Sequence, residues 1–162
     1  MKTLPRFLIR LTACIVFIFT FYSFTNFHLD GNAPDARADS VTKKGIILSG
    51  SQEVPAVTGG GTGTLDVSYD KTTKILRYNA SWTGLSDSAT MMHFHGPAEK
   101  GANAGVVFPI RDYTPGRSGT ASGTVTLDEV KLKEADLLSG KWYYNIHTKT
   151  HPGGEIRGQV EF

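Results

Sequence analysis

Leu65-Asp66-Val67-Ser68-Tyr69-Asp70 and Leu76-Arg77-Tyr78-Asn79-Ala80-Ser81-Trp82 carry an apolar side chain at every second position. A period of two places Leu65, Val67 and Tyr69 on one side of a strand and Asp66, Ser68 and Asp70 on the other. Leu76, Tyr78, Ala80 and Trp82 repeat the pattern against Arg77, Asn79 and Ser81, and the short turn around Lys71 to Thr73 makes the pair a hairpin. Outward from this hairpin the same period recurs. Gly45 to Ser51 opens the pattern, and Gln52 to Gly61, with Pro55 and three consecutive glycines, reads as a loop. Val106 to Ile110 and Gly119 to Leu127 are further strands, Pro109 placing the first at an edge or making it short. Trp142 to Thr148 and Ile156 to Phe162 complete the set. Asp128 to Leu138 is the only stretch with helical spacing, through Val130, Leu132, Ala135 and Leu138, with Gly140 placed to end it. The expected class is all-β, a sandwich or barrel with one short helix.

Of five histidines, His28 falls in the amino-terminal leader, leaving His93, His95, His147 and His151. His93 and His95 share one side of a strand, opposite Met92 and Phe94. In Trp142 to Thr148 the apolar set is Trp142, Tyr144 and Ile146, so His147 points the other way with Tyr143 and Asn145. Arg157 likewise opposes Ile156, Gly158 and Val160. Three imidazoles and one guanidinium are therefore expected off the core face. An H-x-H pair with a distant third histidine and no thiolate suits copper or zinc by ligand type. The competing account is a solvated pair on a wet face. His151 precedes Pro152-Gly153-Gly154 and reads first as a turn residue, with a ligand role as the alternative. Glu155 and Arg157, two apart, are expected to pair with each other or with strand neighbours, and Trp142, Tyr143 and Tyr144 to pack the sheet.

The chain has 162 residues, 17 cations, 15 anions and one cysteine. Lys2, Arg6 and Arg10 precede an apolar run from Leu11 to Phe24, and Ala36-Arg37-Ala38 follows a polar stretch, the layout of an export signal. Cleavage after Ala38 is expected, with an uncleaved anchor as the alternative. Setting aside the leader's four cations (Lys2, Arg6, Arg10, Arg37) and two anions (Asp30, Asp35) leaves 13 of each sign. A neutral exported domain gives no reason to expect a nucleic acid or a membrane partner beyond the leader. Cleavage would remove Cys14, the one cysteine, and with it disulfides, thiolate metal sites and cysteine nucleophiles. Phosphate-loop and G-x-S-x-G motifs are missing, Asp66 and Asp70 lack calcium-loop spacing, and no organic cofactor is expected. The layout is residues 1–38 as signal, 39–44 as linker and 45–162 as one domain.

Leu48-Ser49-Gly50-Ser51-Gln52-Glu53-Val54-Pro55, Gly61-Thr62-Gly63, His93-Phe94-His95-Gly96-Pro97-Ala98 and Asn145-Ile146-His147-Thr148 with Pro152-Gly153-Gly154-Glu155-Ile156-Arg157-Gly158-Gln159 resemble the CHRD domain, the module named after chordin. The resemblance covers about Lys43 to Phe162 and implies a secreted β-sandwich. A second likeness, to Cu/Zn superoxide dismutases, rests on Gly84-Leu85 before His93 and His95, on His147 after Gly140, and on Arg157 after a glycine-containing loop. It implies copper held by His93, His95 and His147, with Arg157 guiding superoxide. No zinc loop or loop disulfide is present, and only His151 is left as a fourth histidine ligand. Together these imply an immunoglobulin- or dismutase-like Greek-key antiparallel sandwich, secreted or periplasmic, binding copper open to solvent and cycling it against a small anion. The rival implication is a non-catalytic module that binds an extracellular protein or matrix.

Overall fold

A computed structural model describes residues 39–162, so the expected leader and its cleavage site lie outside the described residues. Eight strands form: β1 (Ser40–Ser49), β2 (Thr62–Asp70), β3 (Ile75–Thr83), β4 (Ala89–His95), β5 (Val106–Ile110), β6 (Gly119–Thr126), β7 (Trp142–Thr148) and β8 (Ile156–Val160). All pairings are antiparallel, in the order β5-β4-β7-β8-β1-β2-β3-β6. Two four-stranded halves are joined where Ser49 of β1 meets Arg157 of β8. At the opposite margin an isolated bridge, Tyr113 to Ala121, brings the chain after β5 back to β6, leaving the sandwich nearly closed.

The two halves face each other across the alternating apolar side chains. Leu65, Val67, Tyr69, Leu76, Tyr78, Ala80 and Trp82 from one half meet Met92, Phe94, Trp142, Tyr144, Ile146, Ile156 and Val160 from the other, all buried. Phe94 links the halves through an edge-on contact with Tyr78, 5.4 Å between ring centroids, and packs edge-on against Tyr144 of its own half at 5.2 Å. Such pairs add about 1 kcal/mol each beyond their buried area. The expected edge position of β5 holds, since it pairs with β4 alone.

Two local expectations change. Ser40 to Lys44, read as linker, is the first half of β1, and the register shifts between Lys43 and Ile46. Gly45 takes a φ of +67° there, and its N–H donates to Asp66 Oδ1 at 2.7 Å, so Asp66 serves a bulge. The helical stripe from Asp128 yields only α1 (Glu134–Leu138). Asp128 Oδ1 accepts the N–H groups of Val130, Lys131 and Leu132, which satisfies them in a turn, and Val130 stays exposed.

Candidate metal centre

The face of β7 and β8 turned away from the core is not wet, and on β4 it is buried at His95 and half-buried at His93. Along β7 every residue is buried, including Tyr143, Asn145 and His147, and β8 buries Arg157 and Gln159 as completely as its apolar positions. The loop between β4 and β5 supplies part of the cover, since the Arg157 guanidinium donates to Ala102 O at 2.8 Å and Asn103 Oδ1 at 3.2 Å. Tyr143 binds the same loop through Ala104, whose N–H donates to its hydroxyl at 3.2 Å. A polar layer therefore lies beneath loops, and strand parity alone does not predict that cover.

Within this layer His93, His95 and His147 converge, with ligand-capable nitrogens all inside 4.8 Å of one another. The orienting contacts fix which nitrogen each ring presents. A carbonyl can only accept, so His95 Nδ1–H donates to Ala104 O and His147 Nδ1–H donates to Pro152 O, each at 2.9 Å. Both rings must then carry their free lone pair on Nε2. His147 Nε2 accepts a hydrogen bond from His93 Nδ1–H at 3.0 Å, a proton that an ion bound between the two rings would replace. That spacing suits two ligands on one ion, because bonds of about 2.0–2.1 Å separate ligand nitrogens by roughly 3.0–3.5 Å. His95 Nε2 is buried with no hydrogen-bond partner. Leaving such a group unsatisfied costs about 1–3 kcal/mol, a cost that a bound cation would remove. Backbone carbonyls that orient imidazoles in this way are the usual outer shell of a histidine metal site.

All three rings are held neutral. Burial, then the neighbouring His147 and His95, lowers His93 to about 4. Burial lowers His95 and His147 as well, opposed by the Ala104 and Pro152 carbonyls. Metal ligation requires the unprotonated ring, so the downward shift of all three favours binding.

His151 does not join the three. Its carbonyl closes the Pro152-Gly153-Gly154 turn by accepting from Thr148 and Gly154, and its N–H donates to Thr148 Oγ1. Arg157 also lies elsewhere than expected. It is 1% exposed, and its guanidinium carbon sits 3.4 Å above the Tyr143 ring. Tyr143 in turn stacks on His95, 4.7 Å between centroids with planes 2° apart. Arg157 thus clamps the loop that orients His95 and stacks behind its ring, a placement that does not reach incoming anions. Glu155 makes no pair with Arg157. It is fully buried and accepts from Ser86, Thr148 and Gly61.

The sequence reading missed four contributors. The Ala104 and Pro152 carbonyls carry no side-chain signature. Tyr143 was assigned to sheet packing, and its stacking on His95 depends on register across β4 and β7. Glu53, in a loop where an acidic residue is ordinarily solvated, is buried; burial lifts its carboxyl to about 7 against the attraction of Arg157.

The family model of the CHRD domain matches residues 45–160. Neither the comparison with curated proteins nor that with solved structures gave a match.

Proposed function

This chain belongs to the CHRD domain family, and from that premise we propose that it is an exported copper-binding domain whose ion is held by His93, His95 and His147. One observation carries the reading: two of the three imidazoles are locked by backbone carbonyls so that each turns the lone pair of Nε2 toward the cluster, and that of His95 is buried with no partner. An all-imidazole set fits zinc as well. Copper is favoured because it binds such donors more tightly at equal geometry. Bound copper would supply one-electron chemistry there. The protein's share is to keep the rings neutral and oriented and to limit solvent on the His95 side, where Tyr143 and Arg157 stack.

Access is from the His93 side. A cavity of about 400 Å³ opens there, lined by Thr90, Met91, His93, Pro109, Ile110, Arg111 and Tyr113. A small anion approaching this side would meet Arg111. The guiding role that the dismutase likeness implied for Arg157 therefore drops out of this reading.

Titrating the purified chain with Cu(II) tests the proposal. One equivalent should bind, and free copper at a hundred times the dissociation constant should stabilise the fold by about 2.7 kcal/mol, raising the melting midpoint by roughly 10 °C. An unchanged midpoint would remove the metal reading and leave the interaction module.

The lowered imidazole pKa values fix the pH response. A ligand with an ordinary value would begin losing copper to protons below about 6.5. Here His93 stays unprotonated down to about 4. Copper affinity, measured by chelator competition, should hold to lower pH than an ordinary imidazole set allows, because all three ligands are shifted downward. A steady decline starting at about 6.5 would contradict this assignment.

A further inference from the structure

Met91 is large, apolar and 45% exposed, whereas its neighbour Met92 is fully buried. It lies two residues before His93 on β4, so Met91, His93 and His95 follow one another along the same face. In the ladder between β4 and β7, Met91 stands directly opposite His147. Directly opposed antiparallel residues have Cβ atoms about 4.5–5.5 Å apart, within easy reach for an unbranched thioether with three rotatable bonds. Met91 and His93 also line the same 400 Å³ cavity, the open side of the imidazole cluster.

We infer that the Met91 thioether is the fourth donor of this centre and that the site holds copper as Cu(I). The inference rests on the histidine site proposed above. Two features point to the monovalent ion. A thioether is a soft donor that selects Cu(I) over harder divalent ions. The remaining donors are neutral, since no carboxylate joins the cluster among the described residues, and two cations flank it: the buried Arg157 guanidinium behind Tyr143 and His95, and Arg111 on the cavity that Met91 and His93 line. Neutral donors beside a buried cation disfavour the more highly charged oxidation state.

The experiment compares Cu(I) and Cu(II) affinity of the full chain and its Met91→Leu variant, by competition with a coloured chelator specific for each oxidation state. Methyl resonances of labelled methionine are followed in parallel. Leucine keeps the volume of this exposed position, so folding is preserved. The variant should lose about tenfold or more in Cu(I) affinity, close to 1.4 kcal/mol, with Cu(II) affinity changed less than about threefold. Added Cu(I) should shift the Met91 methyl signal and leave that of Met92 in place. A Cu(I) affinity within about twofold of the parent, with an unmoved Met91 methyl, overturns the thioether assignment and leaves the three histidines standing. Failure of the parent chain to bind copper in either state overturns both.

Discussion

Replacing Glu155 by alanine should be among the most destabilising single changes in this fold, lowering unfolding free energy by about 4 kcal/mol. The carboxylate is fully buried at the start of β8 and accepts at Oε1 from Ser86 N–H (2.7 Å) and Gly61 N–H (3.2 Å). At Oε2 it accepts from the hydroxyls of Ser86 (2.6 Å) and Thr148 (2.7 Å). Truncation strands up to four donors around a cavity, at roughly 1–3 kcal/mol for each one left dry. Urea denaturation of the parent, Glu155→Ala and Glu155→Gln would check this, with the amide recovering a large part of the loss by retaining one acceptor and the volume. Burial alone would raise this carboxyl, but the hydrogen bonds from Ser86 and Thr148 outweigh it and hold it below the usual carboxylate range. A depressed folded value contributes stability that is complete above the unfolded carboxyl pKa and disappears as pH falls through the folded one. Acid should therefore destabilise the parent more than the alanine variant. Equal acid sensitivity would show that Glu155 is not the anchor described here.

The second large effect is on copper. His147→Ala should weaken binding by at least about a hundredfold, since even an outer-shell partner of a metal ligand is worth roughly 10–100-fold. His147 also braces the Pro152 turn, so the same loss should be sought in His93→Ala, where the removed ring is only partly buried. His151→Ala, outside the cluster, should bind copper as the parent does. Isothermal titration on the three variants separates a ligand from a neighbour.

Much of the fold was legible because its strands obey a period of two with one face plainly apolar. Val106 to Ile110 and Trp142 to Thr148 coincide with β5 and β7, and the Lys71 to Thr73 turn joins β2 to β3 as read. The amino-terminal half of β1 was not, because Val41 is the one apolar residue in Ser40 to Lys44 and the register is rescued by a glycine bulge. Gly59-Gly60-Gly61 looked like a loop chosen for freedom. In the fold, a Cβ at Gly61 would lie 2.7 Å from both Thr83 O and Leu85 N, so the residue is small because backbone passes beside it. For the site, parity correctly grouped His93, His95 and His147 away from the core. It gave the wrong environment for that face, because parity says which side a residue takes and nothing about the loops folded over that side. The misreadings of Arg157 and Glu155, and the silence on Glu53, share that origin: charged side chains in strands and turns are usually solvated, and these three are buried by long-range contacts.

The most direct test of the central claim is the electron paramagnetic resonance spectrum of the chain loaded with one equivalent of Cu(II), recorded beside His93→Ala and His147→Ala. The account predicts nitrogen hyperfine structure from imidazole donors in the parent and its loss or reduction in each variant. A parent spectrum with oxygen donors alone, or one that both substitutions leave unchanged, would contradict it.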